Sequence, residues 1–522
     1  MVDLILRNGA LLTQDSGAPA ARALAVRAGR IVAVGRDEDV VTLAGPATRT
    51  IDLGGRTVVP GFNDAHAHLW KIGHLLTTMV DLRGATSLGE VGERLQRAAP
   101  DRPAGAWLLG RGYNEARLAE GRPPARQDLD RLFGDRPVML TRTCGHICSV
   151  NSAALSRAGI TRDSPDPPGG VIDRRADGEP SGLLHETAMG LVTACQPAPT
   201  SDDYAAMIGA ALRHQLALGI TSSTDAGVSP PILEAYRRMD REHALPVRVN
   251  VMALRMVEGS GLAPLPARHE SDYLRVDTIK LLADGGLSGA TAALTVPYRH
   301  ADTRGVLRFA DDELLALAGE AYRRGYRLAI HAIGDATIDQ VLGVFESLGP
   351  GGPRPRIEHL GLPDARQLAR ASRLGAIAVP QTVFLPALGR NFRRYLPDGF
   401  LPRVYPVRAM LDAGLTVALS SDAPVVESDD PLLGLRAAVD RLDDAGEAIA
   451  GDQAITVAEG LSGYTLGGAV ASGDEANRGS LAVGKWADLA VLSGDPVTTP
   501  APELTTLRVE QTWVAGQLAY EG

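Results

Sequence analysis

Between residues 273 and 424 the sequence alternates between short apolar runs and helical patterns, and that alternation constrains the fold more than any other feature. "YLRVDTIKLLADGG" gives way to "DDELLALAGEAYRRGY", "RLAIHAIGD" to "ATIDQVLGVFESLG", and "PRIEHLG" to "DARQLARASRLG". "AIAVPQT" and "VYPVRAMLDAGLTVALSSDAP" then continue the series. Strand-length runs, each followed by a segment of 3.6-residue period, are the pattern of a parallel α/β architecture. About 400 residues, from 59 to 477, is large for a (β/α)8 barrel but within its range when loops carry insertions. The expected insertion covers about 84–199. It holds the Pro/Gly/Asp-rich "RDSPDPPGGVIDRRADGEPSG", which reads as a long loop or small subdomain near a site.

The two ends are built differently. "DLILRNGALLT", "ALAVRAGRIVAVG" and "TRTIDLGGRTVVPGF" alternate in hydrophobicity and break at Asn-Gly, Ala-Gly and Gly-Gly, as hairpins do. "GSLAVGKWADLAVLSGDP" and "LRVEQTWVAGQLAYEG" repeat that style. Segments 1–58 and 478–522 are therefore expected to meet in one small β-sandwich. The predicted fold class is α/β: a TIM-type (β/α)8 barrel with an inserted subdomain, plus a β-sandwich formed by both termini.

Composition removes several function classes. Hydrophobic residues at 45% and charged residues at 22% suit a globular protein with a large core. A net charge of -9, aromatics at 4% and no Lys/Arg cluster interleaved with aromatics argue against a nucleic-acid partner. No run approaches the roughly 18 uninterrupted apolar residues of a membrane span, so no membrane partner is expected. The first residues, "MVDLILRNGALLTQDSG", place an acidic residue and a turn where a signal peptide would stay apolar. The cysteines are Cys144, Cys148 and Cys195, too few and too odd in number for a disulfide framework. The expectation is a cytoplasmic protein acting on a small molecule.

The candidate chemistry starts in "VPGFNDAHAHLW", where His66 and His68 stand two residues apart after an apolar strand-like segment. Residues i and i+2 of a strand share a face, and barrel enzymes build their sites at the C-terminal ends of strands. Two imidazoles on one side are a natural start for a metal site. Three more strand-like segments end in a potential ligand followed by a loop: His331 in "LAIHAIGD", His359 in "RIEHLG" and Asp422 in "TVALSSDAP". Each alone reads equally as a core histidine, a cap or a turn residue. Together they favour a metal.

"VPGFNDAHAHL", "IKLLADGGLSG", "HAIGDATID", "RIEHLG", "LSSDAPV" and "GSLAVGKWADLAVL" resemble the amidohydrolase superfamily, most closely its YtcJ-like branch, which includes N-substituted formamide deformylases. "GHICSVNSAAL" extends the resemblance into the inserted region. The resemblance implies His66 and His68 as ligands from the first strand, Lys280 from the fourth, His331 and His359 from the fifth and sixth, and Asp422 from the eighth. It further implies that Lys280 reacts with carbon dioxide. A free ammonium cannot ligate a cation, whereas a carbamate is an anionic ligand with two oxygens. Read locally, Lys280 is equally a snorkelling or ion-paired lysine. Nitrogen and carboxylate ligands suit Zn2+, as one or two ions, with manganese, iron or nickel as alternatives.

The function implied is hydrolysis of an amide-type C–N bond, such as an N-substituted formamide or N-acyl amine, by metal-activated hydroxide with Asp422 as proton shuttle. The alternatives are a cyclic amidase, a carbamate or lactone hydrolase or a deaminase on the same metals, and a non-catalytic scaffold of the fold. A scaffold is disfavoured because all six expected ligand positions are filled. His146 is a second catalytic candidate, by resemblance a donor to the substrate or oxyanion, and equally a structural histidine. Asp335 is expected to cap the helix that follows it, and Asp284 to serve a turn. Phe384, Leu385 and Tyr395 suggest an apolar wall. Family analogy adds a homodimer.

Overall fold

The computed structural model describes residues 1–522 except 104, 116, 144, 146, 168, 258–260, 300 and 301. The chain forms two compact units, Met1–Leu69 with Ala211–Gly522, and Trp70–Ala210.

The first unit contains a parallel sheet of eight consecutive strands among the described residues: β1 (Phe62–Ala67), β2 (Ile220–Val228), β3 (Arg248–Leu254), β4 (Leu274–Leu282), β5 (Arg327–Ala332), β6 (Arg356–His359), β7 (Ile377–Val379) and β8 (Thr416–Val417). Each is hydrogen-bonded in parallel to the next. The segment after β8 returns to β1: Asp422 N donates to His66 O (2.7 Å), His68 N to Ala423 O (2.8 Å) and Ala65 N to Leu419 O (3.4 Å). The ring is thus closed by backbone bonds, as a TIM-type barrel requires.

Strands such as β6 and β7 are buried at every residue. Parallel strands covered on both faces take that form. Helices Asp311–Arg323, Asp335–Leu348 and Ala365–Arg373 follow β4, β5 and β6. They bury Leu314, Ala318, Ile338, Val341, Leu342 and Leu368 against the strands in the main core. Asp364 caps the last of these helices through a box, accepting from Gln367 N while Gln367 Oε1 accepts from Asp364 N. Asp335 does not cap its helix. Gly334 occupies the cap position, and the Asp335 carboxylate instead accepts from Thr295 N (3.0 Å) and Thr295 Oγ1 (2.6 Å), tying a loop across the chain.

Both termini contribute to the same unit. Strands Leu4–Arg7, Ala23–Arg27, Arg30–Gly35 and Arg49–Asp52 form one sheet. In a second sheet Thr57–Pro60 pairs antiparallel with Leu489–Leu492, in the register Val58 to Val491. Leu6, Leu24 and Ile31 of the first sheet and Val58, Leu489 and Trp513 of the second share one apolar core. Gly61 joins Thr57–Pro60 to β1, and a Cβ there would lie 2.1 Å from Thr221 Oγ1. Only glycine lets the entry to β1 lie so close against β2.

The second unit holds a sheet of six strands among the described residues, in the order Gly170–Arg174, Pro180–Glu186, Ile147–Val150, Val138–Arg142, Leu108–Tyr113 and Val80–Asp81. The Pro/Gly/Asp-rich stretch contains Gly170–Arg174 and the start of Pro180–Glu186, which pair antiparallel with the charged "RADGE" as their turn. Two apolar clusters accompany the sheet, one around Leu109, Cys148, Val150 and Leu184, the other around Leu95, Leu108, Leu129 and Leu140. Cys148 is a buried free thiol and Cys195 an exposed one. Burial pushes the Cys148 thiol up to about 12, so it stays protonated and inert. Among the described residues no helix is long and apolar enough to cross a membrane.

Candidate metal centre

The end of β1 presents His66 and His68 to one carboxylate. Asp422 Oδ1 lies 3.4 Å from His66 Nε2 and 3.1 Å from His68 Nε2. These three residues, although 356 positions of chain separate the first from the last, place ligand atoms within 4.8 Å of one another. Asp422 adopts a left-handed backbone, φ +56°, and so does His359 at φ +72°. Such conformations are uncommon outside glycine and concentrate at functional sites. Here the turn after β8 must swing the Asp422 side chain over the mouth while its N–H stays bonded to β1.

The other two histidines continue the cluster. The His359 ring lies 4.9 Å from His66 and 4.3 Å from His331, centroid to centroid. Phe384 stacks beside His359 at 6.5 Å and 13°, so one of the expected wall residues does border the site. Tyr395 and Leu385 lie on the same helix, Phe384–Tyr395. His146 lies outside the described residues.

Each inner histidine is oriented by a partner on its other nitrogen. Glu358 Oε2 lies 2.5 Å from His66 Nδ1, Gln381 Oε1 2.6 Å from His359 Nδ1, and Asp284 Oδ1 3.1 Å from His331 Nε2. Sequence reasoning missed Glu358 and Gln381 and took Asp284 for a turn residue. Asp284 also accepts from Ala293 N, Ile333 N, Gly334 N and Thr337 Oγ1, and so fixes the loop after β4 against the end of β5. Asp64 is a further unforeseen member: Ser421 donates to it through N (3.1 Å) and Oγ (2.5 Å), bracing the turn that carries Asp422. Burial outweighs those bonds and raises the Asp64 carboxyl to about 7.

The electrostatics suit a cation. Burial depresses the His66 and His359 imidazoles, His359 well below its ordinary value, so both are neutral and offer lone pairs. Burial alone would raise Asp422; His66, His68 and His359 outweigh it and hold the carboxyl well below the usual range. Its Oδ1 is buried between the Nε2 atoms of His66 and His68. Lys280, on β4, is buried, and its Nζ has no hydrogen-bond partner among the described residues. Burial lowers it to about 8, favouring the neutral amine. Two neutral imidazoles, His66 and His359, beside a buried ionised carboxylate are a donor set that a divalent ion would satisfy.

The same architecture is found in known proteins. Residues 49–520 match the sequence profile of the amidohydrolase family. YtcJ of Bacillus subtilis is 34% identical over 489 residues, 91% of each chain. N-substituted formamide deformylase of Arthrobacter pascens is 32% identical across 100% of this chain and 99% of its own. Among solved structures, an uncharacterized metal-dependent hydrolase from Pyrococcus horikoshii superposes with a TM-score of 0.80 at 29% identity, covering 96% of this chain and 99% of that one. A match spanning nearly the whole length, over a barrel whose strand ends gather histidines and a carboxylate, leaves one conclusion: this chain belongs to the amidohydrolase family, and is a hydrolase of C–N bonds.

Proposed function

We propose that this amidohydrolase cleaves the C–N bond of a linear amide, an N-substituted formamide or N-acyl amine, at a centre of one or two zinc ions. The observation that carries the reading is the convergence of His66, His68 and Asp422 on one point at the C-terminal end of the barrel. Likeness to a formamide deformylase over the full length favours a linear amide over a cyclic one. His66, His68, His331, His359 and Asp422 would hold metal, with Lys280 joining them as its carbamate. A divalent ion bound there polarises a carbonyl and brings the ionisation of water towards neutral pH.

The chain's own groups complete the reaction. Asp422 stays ionised, the state that accepts a proton, and hands that proton to the departing amine. The neutral amine of Lys280 is the form that would add to carbon dioxide, its nitrogen lone pair forming the N–C bond as one C=O π pair moves onto oxygen and one N–H proton passes to water. Phe384 lends the site an apolar side that limits water. The small sandwich of the termini is the support for β1 in this reading. Three cysteines, with Cys148 and Cys195 free thiols, fit a cytoplasmic enzyme.

The test is a hydrolysis screen of the zinc- or manganese-loaded protein over formamides, acyl amines, hydantoins and lactones. Turnover of formamides or acyl amines is expected. Turnover confined to cyclic substrates would overturn the linear-amide reading, and a protein that binds neither metal would overturn the centre itself.

A further inference from the structure

We propose that Glu358 is the positioning residue for His66, an inference that rests on the metal reading above: its carboxylate holds the Nδ1 proton, so that Nε2 faces Asp422 and the ion with its lone pair. Arg356 and Glu358 stand two apart on β6 and therefore share a face, and both are fully buried. Arg356 Nε donates to Glu358 Oε1 at 2.7 Å and Nη2 to Oε2 at 3.1 Å. The same Nη2 donates to Ala65 O at 2.7 Å, the carbonyl of the residue before His66. Arg356 thus grips the His66 backbone directly and the His66 ring through Glu358.

The direction of the proton follows from charge. Arg356 donates to both Glu358 oxygens, the two-pronged pairing of a guanidinium with a carboxylate. An ionised carboxylate only accepts, so the short contact requires the hydrogen on Nδ1. Nε2, 3.4 Å from Asp422 Oδ1, is then the free donor atom. The other two orienting groups differ in kind. Gln381 is uncharged, and the Asp284 carboxylate is shared among four other donors. Glu358 sets a carboxylate oxygen 2.5 Å from Nδ1 of a ligand ring, which raises the basicity of that ring. A purely structural role, as counterion to the buried Arg356, would need no contact with His66.

Two measurements test this. The first is the zinc dissociation constant, by competition with a chromophoric chelator, for wild type, Glu358→Gln and the charge-neutral pair Arg356→Met with Glu358→Gln. The pair avoids stranding a buried guanidinium, which the single change does. Binding about 10- to 100-fold weaker in a folded variant is expected. A folded variant with lowered thermal stability but unchanged zinc affinity would overturn the proposal and leave Glu358 structural. The second measurement needs no variant and no metal: the 15N spectrum of His66 in the wild-type apoprotein should show the Nδ1–H tautomer, and the Nε2–H tautomer would refute it. Wild type that takes up no zinc, yet shows the expected tautomer, would sink the metal reading instead.

Discussion

Asp422 carries two costs, a left-handed backbone and a buried, ionised carboxylate. Neither stabilises the fold, so the residue is held there by its surroundings: Ser421 bonded to Asp64, and Asp422 N bonded to His66 O. Asp422→Asn keeps the shape and removes the proton acceptor. Turnover should fall by about 10²- to 10⁴-fold with the circular dichroism spectrum unchanged, and near-normal turnover would refute the shuttle. Lys280 makes a second prediction through its depressed pKa. In the fold it loses its proton near 8, whereas the unfolded chain keeps it to about 10.5. Between those values the unfolded state binds more protons, so stability rises with pH. The gain is on the order of 3 kcal/mol at most. Melting curves of the metal-free protein in carbon-dioxide-free buffer should show that rise in wild type and its loss in Lys280→Met. Parallel pH profiles would show that Lys280 is not the buried amine described.

The elements explain which parts of the site a single sequence discloses. His66, His68, His331, His359 and Asp422 were legible because each ends a strand-like run and precedes a loop, and a parallel barrel sends such ends to one rim. Glu358 was not, although it sits in the quoted "RIEHLG": its partner His66 is 292 residues away, and only closure of β1 against the far side brings them together. Gln381 and Asp284 meet His359 and His331 only through the pairing of neighbouring strands, β6 with β7 and β4 with β5. The error at Asp335 is local and instructive. Sequence places a capping side chain to within about one residue, and here Gly334 takes the cap while Asp335 reaches Thr295. At Asp364 the same grammar holds, because Gln367 three residues on completes the box. Asp364→Ala should therefore lower stability by about 1 kcal/mol, read by thermal denaturation. Turnover should be unaffected, since the carboxylate serves only the helix start after β6.

At the scale of the molecule, the terminal sheets act on the barrel rather than merely beside it. Arg248 opens β3 and is buried. Its guanidinium donates to both oxygens of Asp488, at 2.6 and 3.1 Å, and lies 4.4 Å from the Trp486 ring and 4.7 Å from that of Tyr273. Asp488 also accepts from Ala515 N through its side chain and from Gly61 N through its carbonyl. One residue of the C-terminal segment therefore anchors the start of β3, the last hairpin and the entry to β1. The repetitive turn grammar of the two ends announced strands, yet could not announce this pairing, because a buried ion pair 240 residues apart leaves no periodic trace. A charge buried without its partner costs about 3–5 kcal/mol, while an apolar pair of similar volume is often neutral. Asp488→Ala should accordingly lower the melting temperature sharply, and Arg248→Met with Asp488→Leu should recover most of the loss. If the single and double changes cost the same, the anchor resides in the strand pairing of Thr57–Pro60 with Leu489–Leu492, and the ion pair adds nothing to it.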